Sequence, residues 1–147
     1  MRYFWAMLRT FFGRRQGIAF RCRQCGECCS WPGSVFFTQE EIERAASVCE
    51  QSVPEFIDRY RLRYLEWGEW ELASARGCPL LDKDKRCRIY QARPLQCASW
   101  PFWRSQVKDA AARRELMREC PGCRTGPWYD NHQIEKRVTE DKRNEFF

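Results

Sequence analysis

At 147 residues the chain has the length of one domain able to bury a modest core. With 44% hydrophobic, 15% aromatic and 31% charged residues, and no low-complexity tract or internal repeat, it is neither disordered nor fibrous. The formal charge of +6 is mild, and no apolar run approaches the ~20 residues that span a bilayer, but ten cysteines in so short a chain call for disulfides or metal ligation.

Residues 1–19 form an expected amphipathic segment, with Phe4, Met7, Leu8 and Phe11 at helical spacing and Arg2, Arg9, Arg14 and Arg15 around them. It reads as a terminal helix docked on its own domain, with peripheral contact to a membrane interface as the other reading. Arg9 interrupts its apolar run and "GRRQG" offers no small-residue cleavage site, so a secretory signal is not expected. The expected compartment is the cytoplasm, where thiols stay reduced and metal explains ten cysteines better than bridges do.

A cysteine-rich domain is expected over residues 20–125. "RCRQCGECCSWPG" reads as an irregular loop, with Gly26, Pro32 and Gly33 as turn residues. Thr38 and Glu41 form a capping box that opens a helix with the stripe Ile42, Ala45, Ala46, Cys49. Ser52, Pro54 and Glu55 open a second, whose Phe56, Ile57, Tyr60 and Tyr64 are expected inward and which Gly68 is expected to end. "EWELA" (69–73) alternates as a half-buried strand, and "CPLLDKDKRCRIY" reads as a hairpin with Cys78 and Cys87 near its ends. Pro94 and Pro101 place Cys97 on a short turn or a single helical turn. A helix over 109–119 is closed by "CPGC". Within the last segment, 126–147, Asp130 and Gln133 open a helix carrying Ile134 and Val138, expected to pack on the domain. The late basic residues, among them Arg104, Lys108, Arg113, Arg114, Lys136 and Arg137, read as a solvated helical face rather than a nucleic-acid surface. The expected class is α+β: a small irregular single domain of three to four helices and a short β-hairpin, stapled by cysteine-ligated metal.

Thiolates two residues apart in a turn can grip one ion, as at Cys22 and Cys25, Cys25 and Cys28, and Cys120 and Cys123. C-x2-C-x2-C also opens the bacterial ferredoxin run, whose later ligand is a cysteine before proline; Cys78-Pro79 and Cys120-Pro121 have that form. Adjacent side chains diverge, so Cys28 and Cys29 are expected to face two centres or two atoms of one cluster. An all-sulfur donor set selects zinc, copper(I) or iron–sulfur over calcium or magnesium. The lone histidine, His132, is not expected to ligate. A zinc ribbon fits poorly, because its two C-x2-C knuckles would stand most of the chain apart.

"CRQCGECC" (22–29), "CPLLDKDKRCRIYQARPLQC" (78–97), "WPF" (100–102) and "CPG" (120–122) together resemble the YkgJ-like cysteine-cluster family, the zinc- or iron-chelating CxxCxxCC domain. The resemblance covers roughly residues 20–125. It implies cysteine-ligated metal, with Cys22, Cys25, Cys28, Cys29, Cys78, Cys87, Cys97 and Cys120 matching the family's metal-binding cysteines. Eight suffice for two four-thiolate centres. Related sequence also forms part of a much longer flagellin lysine methylase. Cys49 and Cys123 fall outside the pattern: Cys49 reads as a buried thiol, while Cys123 has chelate spacing to Cys120. Ala98 stands where the family often has arginine, whereas Arg93 keeps its place in "ARP" and either donates to cluster sulfurs or to a carbonyl, or lies on the surface.

The favoured expectation is an iron–sulfur protein, 4Fe–4S before other clusters, that carries electrons or holds a cluster for a protein partner. Trp31, Trp100, Phe102 and Trp103 would supply an apolar wall. The alternative is a zinc-stapled interaction module without redox activity. Enzymatic activity of the chain itself is disfavoured: only His132 could orient a nucleophilic cysteine, and no phosphate loop, H-E-x-x-H or G-x-S-x-G occurs.

Overall fold

Three capping boxes organise the helices. Thr38, Ser52 and Asp130 each accept the amide of the residue three positions on, and Glu41, Glu55 and Gln133 reach back to the cap amides. In this computed structural model, which describes residues 17–145, the elements in chain order are β1 (Gly17–Ala19), α1 (Glu27–Ser30), β2 (Gly33–Phe37), α2 (Gln39–Val48), α3 (Val53–Tyr60), β3 (Arg63–Tyr64), β4 (Trp70–Ser74), α4 (Leu95–Ala98), α5 (Arg104–Val107), α6 (Ala110–Glu119), β5 (Trp128–Asp130) and α7 (Asn131–Thr139). Short 3₁₀ turns fall at Tyr90–Ala92, Pro121–Arg124 and Lys142–Glu145. The described residues thus hold seven helices, three of them single turns, and two small sheets, where the sequence suggested three to four helices and one hairpin. The apolar stripe at Phe4–Phe11 lies outside the described residues. None of the helices among them is long and apolar enough to cross a membrane.

The described residues form two compact units, one of residues 24–100 and the other of the described residues on either side. In the first, β2, β4 and β3 make an antiparallel sheet in that order, with Val35 opposite Leu72 and Phe37 opposite Trp70. The same face of β2 and β4 therefore presents Val35, Phe37 and Leu72 to the core, joined by Ile42, Ala45, Ala46, Phe56, Leu62, Leu80 and Ile89. Phe37 and Phe56 are wholly buried, and such burial stabilises by about 1.5–3 kcal/mol per side chain. On the sheet's other face Ser34 donates to Glu71 (2.7 Å) and Arg63 pairs with the same carboxylate. Serine and arginine hold the Glu71 carboxyl below its ordinary range.

Two expectations at the end of α3 are corrected. The helix stops at Tyr60, because Arg61 turns left-handed (φ 54°) and the Leu62 amide reaches back to the Ile57 carbonyl at 3.0 Å. Tyr64 consequently lies on edge strand β3, 60% exposed, and Gly68 belongs to the β3–β4 turn.

In the second unit β1 pairs antiparallel with β5, and Ile18, Val107, Leu116, Ile134 and Val138 are buried. Asp109 caps α6 by accepting the Ala112 amide. Phe102 meets Phe20 and Tyr129 edge-on at 6.0 and 4.9 Å, and the Arg137 guanidinium lies over Phe102 and Tyr129. Arg104 pairs with Glu135, and Arg124 donates to the Met117 and Arg118 carbonyls, so several late basic residues are engaged within their own unit.

Candidate metal centre

Two glycines let the cysteine run approach the hairpin that follows β4. Gly26 is left-handed (φ 75°), and a Cβ there would stand 2.5 Å from the Lys85 carbonyl oxygen. Gly77 (φ 101°) allows the Cys78 amide to donate to the Cys29 carbonyl at 2.7 Å, and a Cβ at Gly77 would lie 3.2 Å from that oxygen. Gly26 also caps α1, so Cys28 and Cys29 sit on a single helical turn rather than the irregular loop the sequence suggested.

The hairpin forms as expected, held by an antiparallel bridge between Leu81 and Cys87. Asp82 fixes its turn by accepting the amides of Asp84 and Arg86, both at 2.8 Å, which keep its carboxyl below the usual range. Cys97 rides the single turn α4, as its flanking prolines imply.

These segments bring five thiols to one pocket. Cys28, Cys29, Cys78, Cys87 and Cys97 line a cavity of about 50 Å³ together with Val35, Phe37, Leu72, Leu80 and Ile89. A water needs only ~10–15 Å³, so an ion has room. The five sulfurs act on one another electrostatically. Burial pushes the Cys78, Cys87 and Cys97 thiols above their ordinary value; for Cys97 the neighbouring Cys78, Cys28 and Cys87 add to it. Cys29 is pushed up too, first by its hydrogen bond to Cys28, then by burial. Cys28 and Cys29 line the same pocket, where the sequence left open two centres or two atoms of one cluster.

Other groups pull toward the thiolate. The Leu80 and Ile89 amides donate to the sulfurs of Cys78 and Cys87, and the Arg93 guanidinium favours the charged form of Cys87 and Cys97. Arg93, half-buried, lines the pocket, lies over the Tyr90 ring (3.8 Å) and donates from Nε to the Tyr90 carbonyl (2.9 Å). Of the expected aromatic wall, Trp31 and Trp100 stack edge-on at 5.5 Å, while Phe102 packs within the other unit; the pocket itself is walled by aliphatic residues, Phe37 and Tyr90.

The remaining cysteines fall elsewhere. Cys25 is exposed, one residue before Gly26. Cys22, Cys120 and Cys123 belong to the second unit. There the Arg21 amide donates to the Gly122 carbonyl (3.0 Å), setting the backbone at Cys22 beside the 3₁₀ turn that carries Cys123. Cys120 and Cys123 are buried, and Cys123 donates to the Cys120 sulfur, which with burial raises its thiol. Its C-x2-C spacing was the signal for this contact. Cys49 packs against the core of the first unit, half-buried rather than fully buried, and receives the Tyr60 hydroxyl.

Among the described residues no three histidine, cysteine, aspartate or glutamate side chains already stand as ligands around one point. The donor chemistry nevertheless fits a soft cation: the side chains able to ligate that line the pocket are sulfurs, and amides and an arginine favour the thiolates.

Fold and pocket together define a small α+β protein with a half-buried all-thiol cluster whose Cys28 is exposed, of the metal-chelating class. The chain belongs to the CxxCxxCC family, described as "Putative zinc- or iron-chelating domain", which matches residues 21–124. It is therefore a metal-binding domain. It is also similar to an uncharacterized protein of Methanocaldococcus jannaschii, MJ0661, with 35% identity over 88 residues, 58% of this chain and 46% of that protein. The chain thus spans less than half of that relative's length. No solved structure matches.

Proposed function

We propose that the chain holds an iron–sulfur cluster, 4Fe–4S before other types, and uses it to carry electrons or to support a protein partner. The observation that carries this reading is the convergence of five thiols, from α1, the hairpin and α4, on one apolar pocket. Adjacent sulfurs at Cys28 and Cys29 suit two atoms of a cluster better than one ion. Amide donors to Cys78 and Cys87 and the aliphatic lining are the features by which a protein adjusts a cluster's potential. Four of Cys28, Cys29, Cys78, Cys87 and Cys97 supply its ligands. Cys22, Cys120 and Cys123 form a separate thiol group that would suit a second ion.

Protein purified without oxygen should be brown, contain iron and acid-labile sulfide, and bleach on reduction. A colourless preparation with stoichiometric zinc would overturn the iron–sulfur reading and leave the zinc-stapled module. Alanine at Cys78 or Cys97 should remove the metal of the first unit.

A further inference from the structure

We propose that Glu41 and Gln96 are positioning residues for Cys97, clamping its helical turn from two sides. The inference rests on the reading of the five-thiol pocket as the metal site. α4 is a single turn and starts after Pro94, so nothing within it fixes its orientation. Two side chains from outside its ladder do. Glu41, 4% exposed, divides its carboxylate: Oε2 accepts the Thr38 amide at 2.9 Å, and Oε1 accepts the Leu95 amide at 2.8 Å. The Leu95 amide is the first helical donor of α4, a group left without an intrahelical partner. One carboxylate thus closes the capping box of α2 and caps the turn bearing Cys97.

Gln96 holds the other side. Its Oε1 accepts the Phe36 amide at 2.9 Å and its Nε2 donates to the Ser34 carbonyl at 3.1 Å, so the side-chain amide pairs with the outer edge of β2 as a further strand would. β2 presents Val35 and Phe37 to the same pocket. Glu41 and Gln96 are the buried polar or charged side chains among the described residues of this unit; Glu41 holds the Leu95 amide, and Gln96, the residue before Cys97, is itself tied to β2. Burying a carboxylate and an amide is costly unless each is fully bonded, and apolar packing alone would have filled these places without fixing direction.

The test uses the full-length protein and its Glu41→Gln, Gln96→Leu and Thr38→Val variants. Mass-resolved alkylation reports the reactivity of Cys97 relative to Cys28 and Cys78, and zinc(II) affinity is read against a chromophoric chelator. Glu41→Gln and Gln96→Leu should raise the Cys97 ratio about tenfold and weaken zinc about 10–100-fold, the range for residues that orient ligands. Thr38→Val removes the cap hydroxyl of α2 but keeps the Glu41–Leu95 bond, so it should leave the ratio unchanged. If the thiols speed up together, or the ratio does not move, the clamp is merely structural and the proposal fails. If Gln96→Leu does not fold, Gln96→Asn, which withdraws the amide by one methylene, carries the same comparison. Failure of the wild-type chain to bind zinc or iron would instead sink the metal reading, while the alkylation ratio still tests the clamp.

Discussion

Cysteines in this chain are not equivalent. Cys78 accepts an amide from Leu80 and faces four other thiols, whereas Cys49 packs on the core and receives a single hydroxyl from Tyr60. Replacing Cys49 by alanine should leave metal content unchanged and cost about 1 kcal/mol in a denaturant melt, the worth of one hydrogen bond. Replacing Cys78 by alanine should abolish metal binding in the first unit. Metal analysis of the two variants side by side separates the roles, and loss of metal from Cys49→Ala would contradict them. Arg93 lines the pocket and donates its Nε to the Tyr90 carbonyl, a backbone acceptor being one of the partners the sequence suggested for it.

Among the elements, the capping boxes were the most legible, because Thr38–Glu41, Ser52–Glu55 and Asp130–Gln133 are local patterns whose partners lie three residues away. The hairpin at Cys78–Cys87 was legible for the same reason, through its polar turn. Short strands were not. Gly17–Ala19 and Trp128–Asp130 are three residues each and owe their form to one another across most of the chain. The left-handed Arg61 gives no sequence signal, which is why Tyr64 was misplaced. Cysteine spacing announced a thiol cluster, but the division of the run between two units at Arg23 and Gln24 is a property of the fold. Gly26 supplies an element-scale test. Gly26→Ala strains a left-handed position and sets a methyl against the Lys85 carbonyl, so it should destabilise by about 1–3 kcal/mol in urea melts and lower zinc retention. Ser52→Ala should cost about 1 kcal/mol without touching the metal.

For the molecule as a whole, clustered thiols make stability depend on pH. Cys29, Cys78, Cys87 and Cys97 are raised above the ordinary thiol value of 9.0. Above that pH the unfolded chain releases these protons while the metal-free folded unit keeps them, so the folded state binds more protons and its stability falls as pH rises. Urea melts of metal-free protein at successive pH values should show the midpoint dropping from pH 9 upward. Metal reverses the sign: ligation needs thiolates and releases protons, so affinity should strengthen with rising pH and be lost on acidification, as chelator competition would read.

Three of the pocket's sulfurs lie between Cys78 and Cys97, while Cys28 and Cys29 come from roughly fifty residues upstream. In the unfolded chain the downstream trio already shares a short tether, and joining the upstream pair to it demands closure of a long loop, whose entropy grows only as the logarithm of its length. An ion first caught by the trio would meet the pair as an intramolecular event, so metal should quicken refolding as well as secure its end point.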